Sequence, residues 1–148
     1  MTEIVTKPGT TTGITNTVAI DWRGDHRFTG GRPGGPTVVI DAGAKVGPGP
    51  VDALLIALGS CTAVDVVDIL AKRRTPVASL HLQVRGARAD AVPKRVIGAH
   101  ITYTITGEGI ERAHAERAIE LAITKYCSVR DSLDPELPVN YTLVLNGE

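Results

Sequence analysis

The sequence predicts an α+β fold with a mostly antiparallel sheet. The predicted elements follow the order strands, helix, strands, helix, strand, and not the regular alternation of a parallel α/β fold. Two segments in the second half of the chain alternate apolar and polar residues with a period of two, which is typical of strands with one buried face. One long segment is apolar on almost every side and carries helix boundary signals at both ends. No internal repeat is visible in the sequence.

The N-terminal third contains a tail and three short strands. Residues 1–14 are predicted to form a flexible tail, and residues 15–148 a single domain. The segments Thr17–Trp22 and Arg27–Gly30 flank a polar turn and predict two strands. After a loop rich in glycine and proline, Thr37–Asp41 predicts a third strand.

A long helix is predicted to follow, from about Val51 to Arg73. The stretch AGAKVGPGP precedes it and puts Pro50 near its first turn, where a proline is tolerated because the missing N–H has no helical partner. Basic residues in the last turn suit the negative end of the helix dipole, and Pro76 ends the helix. Because this helix is apolar nearly all round, we expect it to be buried on several sides or covered by a second subunit.

The C-terminal half supplies two long strands, a second helix and a closing strand. SLHLQVRG (residues 79–86) and HITYTIT (residues 100–106) alternate clearly, so they predict an antiparallel pair with one buried face. Residues 107–127 have apolar positions at helical spacing and predict the second helix. SVRDSL (residues 128–133) predicts one short turn, and NYTLVLNG (residues 140–147) a closing strand.

Composition narrows the classes of function. The chain has 148 residues, enough for one domain with a real core, and its 16 basic and 16 acidic residues give no overall field for nucleic acid or anionic membranes. The N-terminus lacks the pattern of a signal peptide, and Asp65 and Asp68 interrupt the best candidate for a membrane span. We therefore expect a cytoplasmic protein that binds neither nucleic acid nor membrane, with its two cysteines reduced. Only 22% of its residues are charged, which favours a surface partly hidden in a partner.

Neither a nucleotide site nor a metal site is predicted. The Gly-rich stretch GPGPVD has Asp52 where a dinucleotide fingerprint needs a small residue, and its prolines lack the N–H groups that hold a phosphate. Four scattered histidines show no zinc-ligand spacing, although His81 and His100 could face each other across paired strands. A location on the polar face of the sheet, without a metal, is the simpler interpretation of both histidines. We expect no cofactor and no metal.

The two cysteines are the remaining candidates for chemistry. Cys61 lies in the apolar helix with Asp65 one turn further on the same face, so burial and the carboxylate both favour the neutral thiol. Cys127 closes the second helix, and Ser128 and Asp131 have the spacing of a capping box, which would place Cys127 near a helix N-terminus that favours a thiolate. From the residues alone, the two are either small buried hydrophobes or a functional pair.

The two aspartates of the long helix have a structural interpretation. Asp65 and Asp68 are about one helical turn apart, and each could pair with Arg or Lys from a neighbouring strand or from another subunit. Asp68 can also reach Lys72 on the same helix. We expect a structural ion pair in preference to a catalytic role.

Two cysteine segments carry a resemblance to a known family. GPVDALLIALGSCTAVDVVDILAKRR (Gly49–Arg74) resembles the signature helix of the OsmC/Ohr family, especially its broad OsmC-like branch, and KYCSVRDSL (Lys125–Leu133) resembles the second cysteine segment of the same branch. The order of strands and helices agrees from about Thr17 to the C-terminus, so the resemblance covers most of the chain.

This resemblance implies a fold, an assembly and an activity. Family members are intertwined homodimers in which antiparallel sheets wrap around two long central helices. Their characterised peroxidases reduce organic hydroperoxides with a thiolate that becomes a sulfenic acid and then a disulfide. Cys61 resembles the peroxidatic residue and Cys127 the resolving one. The implied partners are a second copy of the chain, an organic hydroperoxide and a cellular dithiol reductant.

This sequence differs from the family's peroxidases at the pair of residues that activates the thiolate. Its peroxidases use an Arg and a Glu that bind each other near the thiolate. The Glu corresponds here to Val51, and the nearest carboxylate is Asp52, where OsmC-like relatives carry Glu. Among three candidate arginines we favour Arg27, which lies in a predicted strand, over Arg23 and Arg32.

The resemblance therefore implies a thiol-dependent organic hydroperoxide reductase with Cys61, Cys127, Arg27 and Asp52 as its site. The alternative is a non-catalytic dimeric module that binds an apolar small ligand, with both cysteines as packing residues.

Overall fold

The structure is a computed structural model that describes residues 3–148, and it confirms the α+β prediction. The chain forms two compact units, one ending at Pro50 and the other spanning Val51–Glu148. A three-stranded sheet belongs to each unit. The first two positions of the predicted tail lie outside the described residues, and residues 3–14 are exposed and contain no helix or strand.

The N-terminal unit contains a small antiparallel sheet. Its strands are β1 (Ala19–Trp22), β2 (Arg27–Gly31) and β3 (Thr37–Asp41), hydrogen-bonded in that order. These bounds match the prediction to within two residues. The side chains of β1 and most of those of β3 are exposed, so this sheet does not bury a core of its own.

The long helix α1 spans Pro50–Lys72, within one residue of the prediction at each end. It ends where Arg74 adopts a left-handed backbone conformation with φ of 64°. Only one side of α1 is buried, and five residues lie on it: Leu58, Gly59, Thr62, Val66 and Leu70. The prediction of burial on several sides therefore does not hold within one chain.

By length and composition alone, α1 is sufficient to cross a membrane. This corrects the expectation that Asp65 and Asp68 exclude such a span. Its buried side nevertheless belongs to the hydrophobic core, as in the core helix of a globular unit, which passes the same test.

The C-terminal unit is built on a mixed sheet of three strands. They are β4 (Ser79–Arg88), β5 (Val96–Thr106) and β6 (Val139–Leu145), with β5 in the middle. β4 and β5 pair antiparallel as predicted, whereas β5 and β6 pair parallel. An alternating pattern specifies which face of a strand is buried but not the direction of its neighbour, so the sequence did not reveal the parallel pair.

The buried face of this sheet carries the core of the unit. Ile101, Tyr103 and Ile105 of β5 are fully buried, and Leu80 and Leu82 of β4 pack against the same cluster. The period of two predicted for both strands is thus confirmed.

The polar face of the sheet does not bring the two strand histidines together. His81 lies opposite Thr104, and His100 lies opposite Arg85. Nδ1 of His100 contacts Oδ1 of Asn140 on β6 at 2.6 Å instead. Among residues 3–148, no group of three or more His, Cys, Asp or Glu side chains could hold a metal ion.

The second helical segment is shorter and less regular than predicted. The α-helix α2 covers Arg112–Leu121 and continues as a π-helical turn over Ala122–Tyr126. A one-turn helix, α3 (Ser128–Asp131), follows at once. Side-chain periodicity cannot distinguish this change of backbone hydrogen bonding from a longer α-helix.

Candidate active site

Cys61 lies on α1 at a turn that contacts two adjacent strands of the C-terminal sheet, β4 and β5. The residue before this turn, Gly59, is buried against β4, and a Cβ added there would lie 2.8 Å from Cγ2 of Val84. Only a glycine allows the helix to approach the strand so closely. Cys61 itself is half-buried and packs against the core cluster.

Thr62, the residue after Cys61, links the same turn to β5. The hydroxyl of Tyr103 donates a hydrogen bond to Oγ1 of Thr62 at 2.7 Å, and Thr62 donates to the carbonyl of Gly59 at 2.9 Å. Both side chains are fully buried. Burial raises the pKa of Tyr103 to about 12, so this side chain remains a hydrogen-bond donor near neutral pH. The stretch Gly-Ser-Cys-Thr thus combines close packing before the thiol with a buried hydrogen bond after it.

Cys127 is positioned by the π-helical turn. Its backbone N–H donates to the carbonyl of Ala122, five residues earlier, which completes that turn. Cys127 is then the N-cap residue of α3, and its Sγ accepts a hydrogen bond from the N–H of Arg130 at 3.3 Å. The predicted capping box is therefore displaced by one position, because Cys127 caps the helix and Ser128 is its first residue.

The two thiols pack in the same core cluster, although they lie far apart along the chain. The Cys61 side chain acts on the pKa of Cys127 both as a hydrogen-bonding partner and electrostatically. Cys127 is only 3% exposed, and this burial is the main reason that its pKa rises to about 11. The Cys61 side chain raises it further, whereas the N–H groups of Arg130 and Val129 lower it. The expected preference for a thiolate at this helix N-terminus is therefore wrong, since desolvation outweighs the N–H groups of a single turn.

The aspartates of α1 do not form the expected ion pairs within one chain, and pairing with another subunit stays a prediction. Asp65 is half-buried and Asp68 is exposed. Within residues 3–148, no basic group lies within 4.0 Å of either carboxylate, so the pairing with Lys72 is absent from this part of the chain. A half-buried carboxylate therefore remains on the face of α1 that carries Cys61.

Arg27 binds a carboxylate of its own unit. Its Nε lies 3.7 Å from Oδ2 of Asp41, which is buried at the end of β3. Asp41 also accepts hydrogen bonds from the backbone N–H groups of Gly43, Lys45 and Val46. These bonds, the one from Gly43 most of all, lower the pKa of Asp41, and Arg27 adds to the effect. The structure thus holds the guanidinium group of Arg27 in place at the start of β2.

The other two arginine candidates lie in more exposed surroundings. Arg23 lies 3.8 Å from the carboxylate of Asp21, and its Nε donates to the hydroxyl of Thr29 at 3.0 Å. Arg32 lies in the exposed loop after β2. Of the three, Arg27 is the one that pairs with a buried carboxylate.

Asp52 lies in the first turn of α1 and borders an apolar groove of about 480 Å³. The groove runs between α1 and β4 and is lined mainly by aliphatic side chains, among them Leu55, Ile56, Leu80 and Leu82. Cys127 borders a different recess of about 370 Å³, together with Lys125 and Arg130.

Three residues of this site were not singled out from the sequence for a role. They are Gly59, Thr62 and Tyr103. For Tyr103 a signal did exist, because the period of two places it on the buried face of a strand, and a buried tyrosine hydroxyl needs a partner. For Gly59 the only signal was a glycine inside a helix, which usually has a packing reason.

The chain is similar to known proteins over most of its length. The model of the family described as OsmC-like protein matches residues 42–142. Protein YhfA of Escherichia coli strain K12 is 29% identical over 125 residues, which are 83% of this chain and 92% of that protein.

Solved structures share the fold. A hypothetical protein from Aquifex aeolicus VF5 superposes with a TM-score of 0.77 at 26% identity, covering 90% of this chain and 99% of that one. The organic hydroperoxide resistance protein OhrB of Bacillus subtilis superposes with a TM-score of 0.57 at 15% identity, covering 90% and 98%. At that identity the similarity to OhrB concerns the fold alone.

Proposed function

Because this chain belongs to the OsmC-like protein family, we propose that it reduces organic hydroperoxides with its pair of cysteines. The observation that carries the proposal is that Cys61 and Cys127, which lie on different elements, both pack in the same core cluster, close enough for the Cys61 side chain to raise the pKa of Cys127.

The proposed reaction has three steps. The thiolate of Cys61 attacks the distal oxygen of the hydroperoxide; the O–O bond breaks, a proton is taken up, and an alcohol leaves as Cys61 becomes a sulfenic acid. Sγ of Cys127 then attacks Sγ of Cys61, which forms the disulfide and releases water. A cellular dithiol reduces the disulfide by two thiol exchanges and is itself oxidised.

The environments of the two thiols support this order. With a pKa of about 11, Cys127 is almost entirely a neutral thiol at pH 7 and a poor first nucleophile. Cys61 is the more exposed of the two and is therefore the better placed to meet a substrate. Cys127 is suited to the later step, because it needs to react only with the sulfur beside it.

Mass spectrometry of the intact protein tests the activity. The reduced protein is treated with cumene hydroperoxide and weighed with and without a later reductant. We expect the loss of two hydrogens, restored by the reductant, and no such loss in Cys61→Ser. Cys127→Ser should instead gain oxygen at Cys61. Two free thiols that persist in a large excess of hydroperoxide would contradict the proposal.

We propose that Arg27 assists Cys61, with Asp52 as the carboxylate of the site. The orientation of Arg27 by the buried Asp41 supports this choice over Arg23 and Arg32. The rate of Cys61 oxidation is to be compared in Arg23→Ala, Arg27→Ala and Arg32→Ala. We expect only Arg27→Ala to slow it, by about tenfold or more. Equal rates in the three variants would argue against Arg27.

We also propose that the active form is a homodimer. Large apolar side chains are exposed on α1, such as Val64 at 59%, and on the N-terminal sheet, such as Trp22 at 67%. Sedimentation should give the mass of two chains. Val64→Glu should weaken the dimer, whereas Gln83→Glu, on the polar face of β4, should not. A monomeric wild-type protein at micromolar concentration would contradict this proposal.

The apolar groove between α1 and β4 favours a second candidate function, the binding of an apolar small ligand without catalysis. In that case hydroperoxide would leave both thiols intact, while an uncharged apolar probe such as 1-anilinonaphthalene would bind. Ile56→Glu, at an exposed position of the groove, should abolish binding of this probe under the second candidate and leave the oxidation of Cys61 unchanged under the first.

A further inference from the structure

We propose that the hydroxyl of Tyr103 is a positioning group that, through Thr62, holds Cys61 in the orientation needed for disulfide formation with Cys127. The inference deepens the proposed function and rests on it. It assigns a role in the second chemical step to a side chain that takes no part in the bond changes.

The hydrogen bonds around Thr62 have a defined direction. The Thr62 hydroxyl has one proton and donates it to the carbonyl of Gly59, on its own helix. It therefore accepts from Tyr103, whose hydroxyl lies 2.7 Å away and is buried in the core. This bond crosses from β5 to α1 and ends on the residue that follows Cys61.

The same tyrosine belongs to the buried cluster that also contains the second thiol, Cys127. Tyr103 is close enough to Cys127 for the two groups to interact electrostatically. Its ring contacts Tyr141 of β6 edge to face, with centroids 6.3 Å apart, and this contact limits its movement. One rigid side chain thus connects the turn that carries Cys61 with the surroundings of Cys127.

Packing alone does not require this hydroxyl. A phenylalanine would fill nearly the same volume, and an apolar core would avoid the cost of burying a polar group. What the hydrogen bond adds is a defined rotation of α1 about its axis. A rotation of roughly 20° would move a side-chain atom about 5 Å from the axis by about 2 Å, enough to disturb the approach of two sulfur atoms.

The ratio of two oxidation products of Cys61 depends on how closely its sulfur atom approaches that of Cys127. The Cys61 sulfenic acid has two fates. In one, Sγ of Cys127 attacks it, the S–S bond forms, the S–O bond breaks, and water leaves with the thiol proton. In the other, its sulfur attacks a second hydroperoxide, the O–O bond breaks, and a sulfinic acid and an alcohol form. Only the first fate depends on the position of Cys61 relative to Cys127.

The test measures the ratio of disulfide to sulfinic acid by intact mass over a range of cumene hydroperoxide concentrations. We expect Tyr103→Phe and Thr62→Val to raise the sulfinic fraction about fivefold at a given concentration, the rate equivalent of one ordinary hydrogen bond. Thr62→Ser keeps the hydroxyl and should restore the wild-type ratio. The rate of the first oxidation of Cys61 should change less than about twofold in all three.

Tyr141→Phe is the matched control. It removes a tyrosine hydroxyl that packs against the same cluster and donates to Glu120 at 3.2 Å. Its product ratio should equal that of the wild type. A wild-type ratio in Tyr103→Phe, or the same shift in Thr62→Ser as in Thr62→Val, would overturn the inference.

A second measurement separates this inference from the proposed function. Diamide oxidises two neighbouring thiols to a disulfide without any hydroperoxide. We expect Tyr103→Phe to form the Cys61–Cys127 disulfide about fivefold more slowly than the wild type. If hydroperoxide fails to oxidise the wild type while this difference holds, the proposed function is wrong and the positioning role stands. Equal diamide rates would refute the positioning role alone.

Discussion

Oγ1 of Thr62 accepts a hydrogen bond of 2.7 Å from the hydroxyl of Tyr103, so a strand side chain anchors the residue next to Cys61. Both groups are buried, and the bond joins β5 to the middle of α1. The stability of the C-terminal unit and the geometry of its thiols therefore depend on the same contact.

Removal of one partner of this hydrogen bond should lower the free energy of unfolding. Thr62→Val leaves the hydroxyl of Tyr103 buried and unpaired, and we expect the free energy of unfolding to fall by about 1–3 kcal/mol. In Thr62→Val combined with Tyr103→Phe no unpaired hydroxyl remains, so the loss should be smaller than the sum of the single losses. Urea unfolding of the four proteins checks this, and strictly additive losses would show that the bond contributes nothing.

Gly59→Ala should destabilise the protein although alanine is the better helix former. The added Cβ would lie 2.8 Å from Cγ2 of Val84, a stiff β-branched side chain. Overpacking of this kind costs about 1–3 kcal/mol, which exceeds the gain of up to about 1 kcal/mol in helix propensity. Ser60→Ala, at an exposed position of the same helix, should change the unfolding free energy by less than about 0.5 kcal/mol. A stabilised Gly59→Ala would mean that α1 shifts away from β4 at little cost.

The raised pKa of Cys127 predicts a loss of stability at alkaline pH. The folded state keeps the thiol proton up to about pH 11, whereas the unfolded chain releases it near pH 9. The contribution of the neutral thiol is therefore complete below pH 9 and declines as the pH rises towards 11. Urea unfolding should show that, between pH 9 and 11, the free energy of unfolding falls more in the wild type than in Cys127→Ala. A difference that stays constant from pH 8 to 11 would contradict the raised pKa.

The lowered pKa of Asp41 predicts that the N-terminal unit loses stability at acid pH. The ionised carboxylate binds three backbone N–H groups, so its contribution is present above the unfolded pKa of about 3.8 and is lost as the pH falls through the lower folded value. Asp41→Asn should increase amide hydrogen exchange at Gly43, Lys45 and Val46 at neutral pH. Asp21→Asn, at an exposed carboxylate, should leave exchange at these amides unchanged. Unaltered exchange in Asp41→Asn would show that the turn does not need the carboxylate.

Local sequence was sufficient for most of the elements. The alternation around Leu82 and Ile101 identified the buried face of each long strand, because side chains of a strand point to opposite faces in turn. Pro50 begins α1 and Pro76 follows its end, because a proline in a helix interior both clashes and removes a donor, and the predicted ends of α1 lie within one residue of the observed ones. The parallel β5–β6 pair and the π-helical turn at Ala122–Tyr126 were missed, because neither changes the side-chain pattern.

The sequence by itself determined the α+β class, the apolar helix around Cys61 and the resemblance that made Cys127 its candidate partner. Only the tertiary structure decided that the two thiols share one core cluster, because this depends on where α1 and the π-helical turn lie against the sheet. It also decided the state of Cys127: the local helix N-terminus favoured a thiolate, yet burial in the core keeps the thiol protonated. The partner of Thr62 was likewise invisible in the sequence, since β5 brings Tyr103 to it across the core.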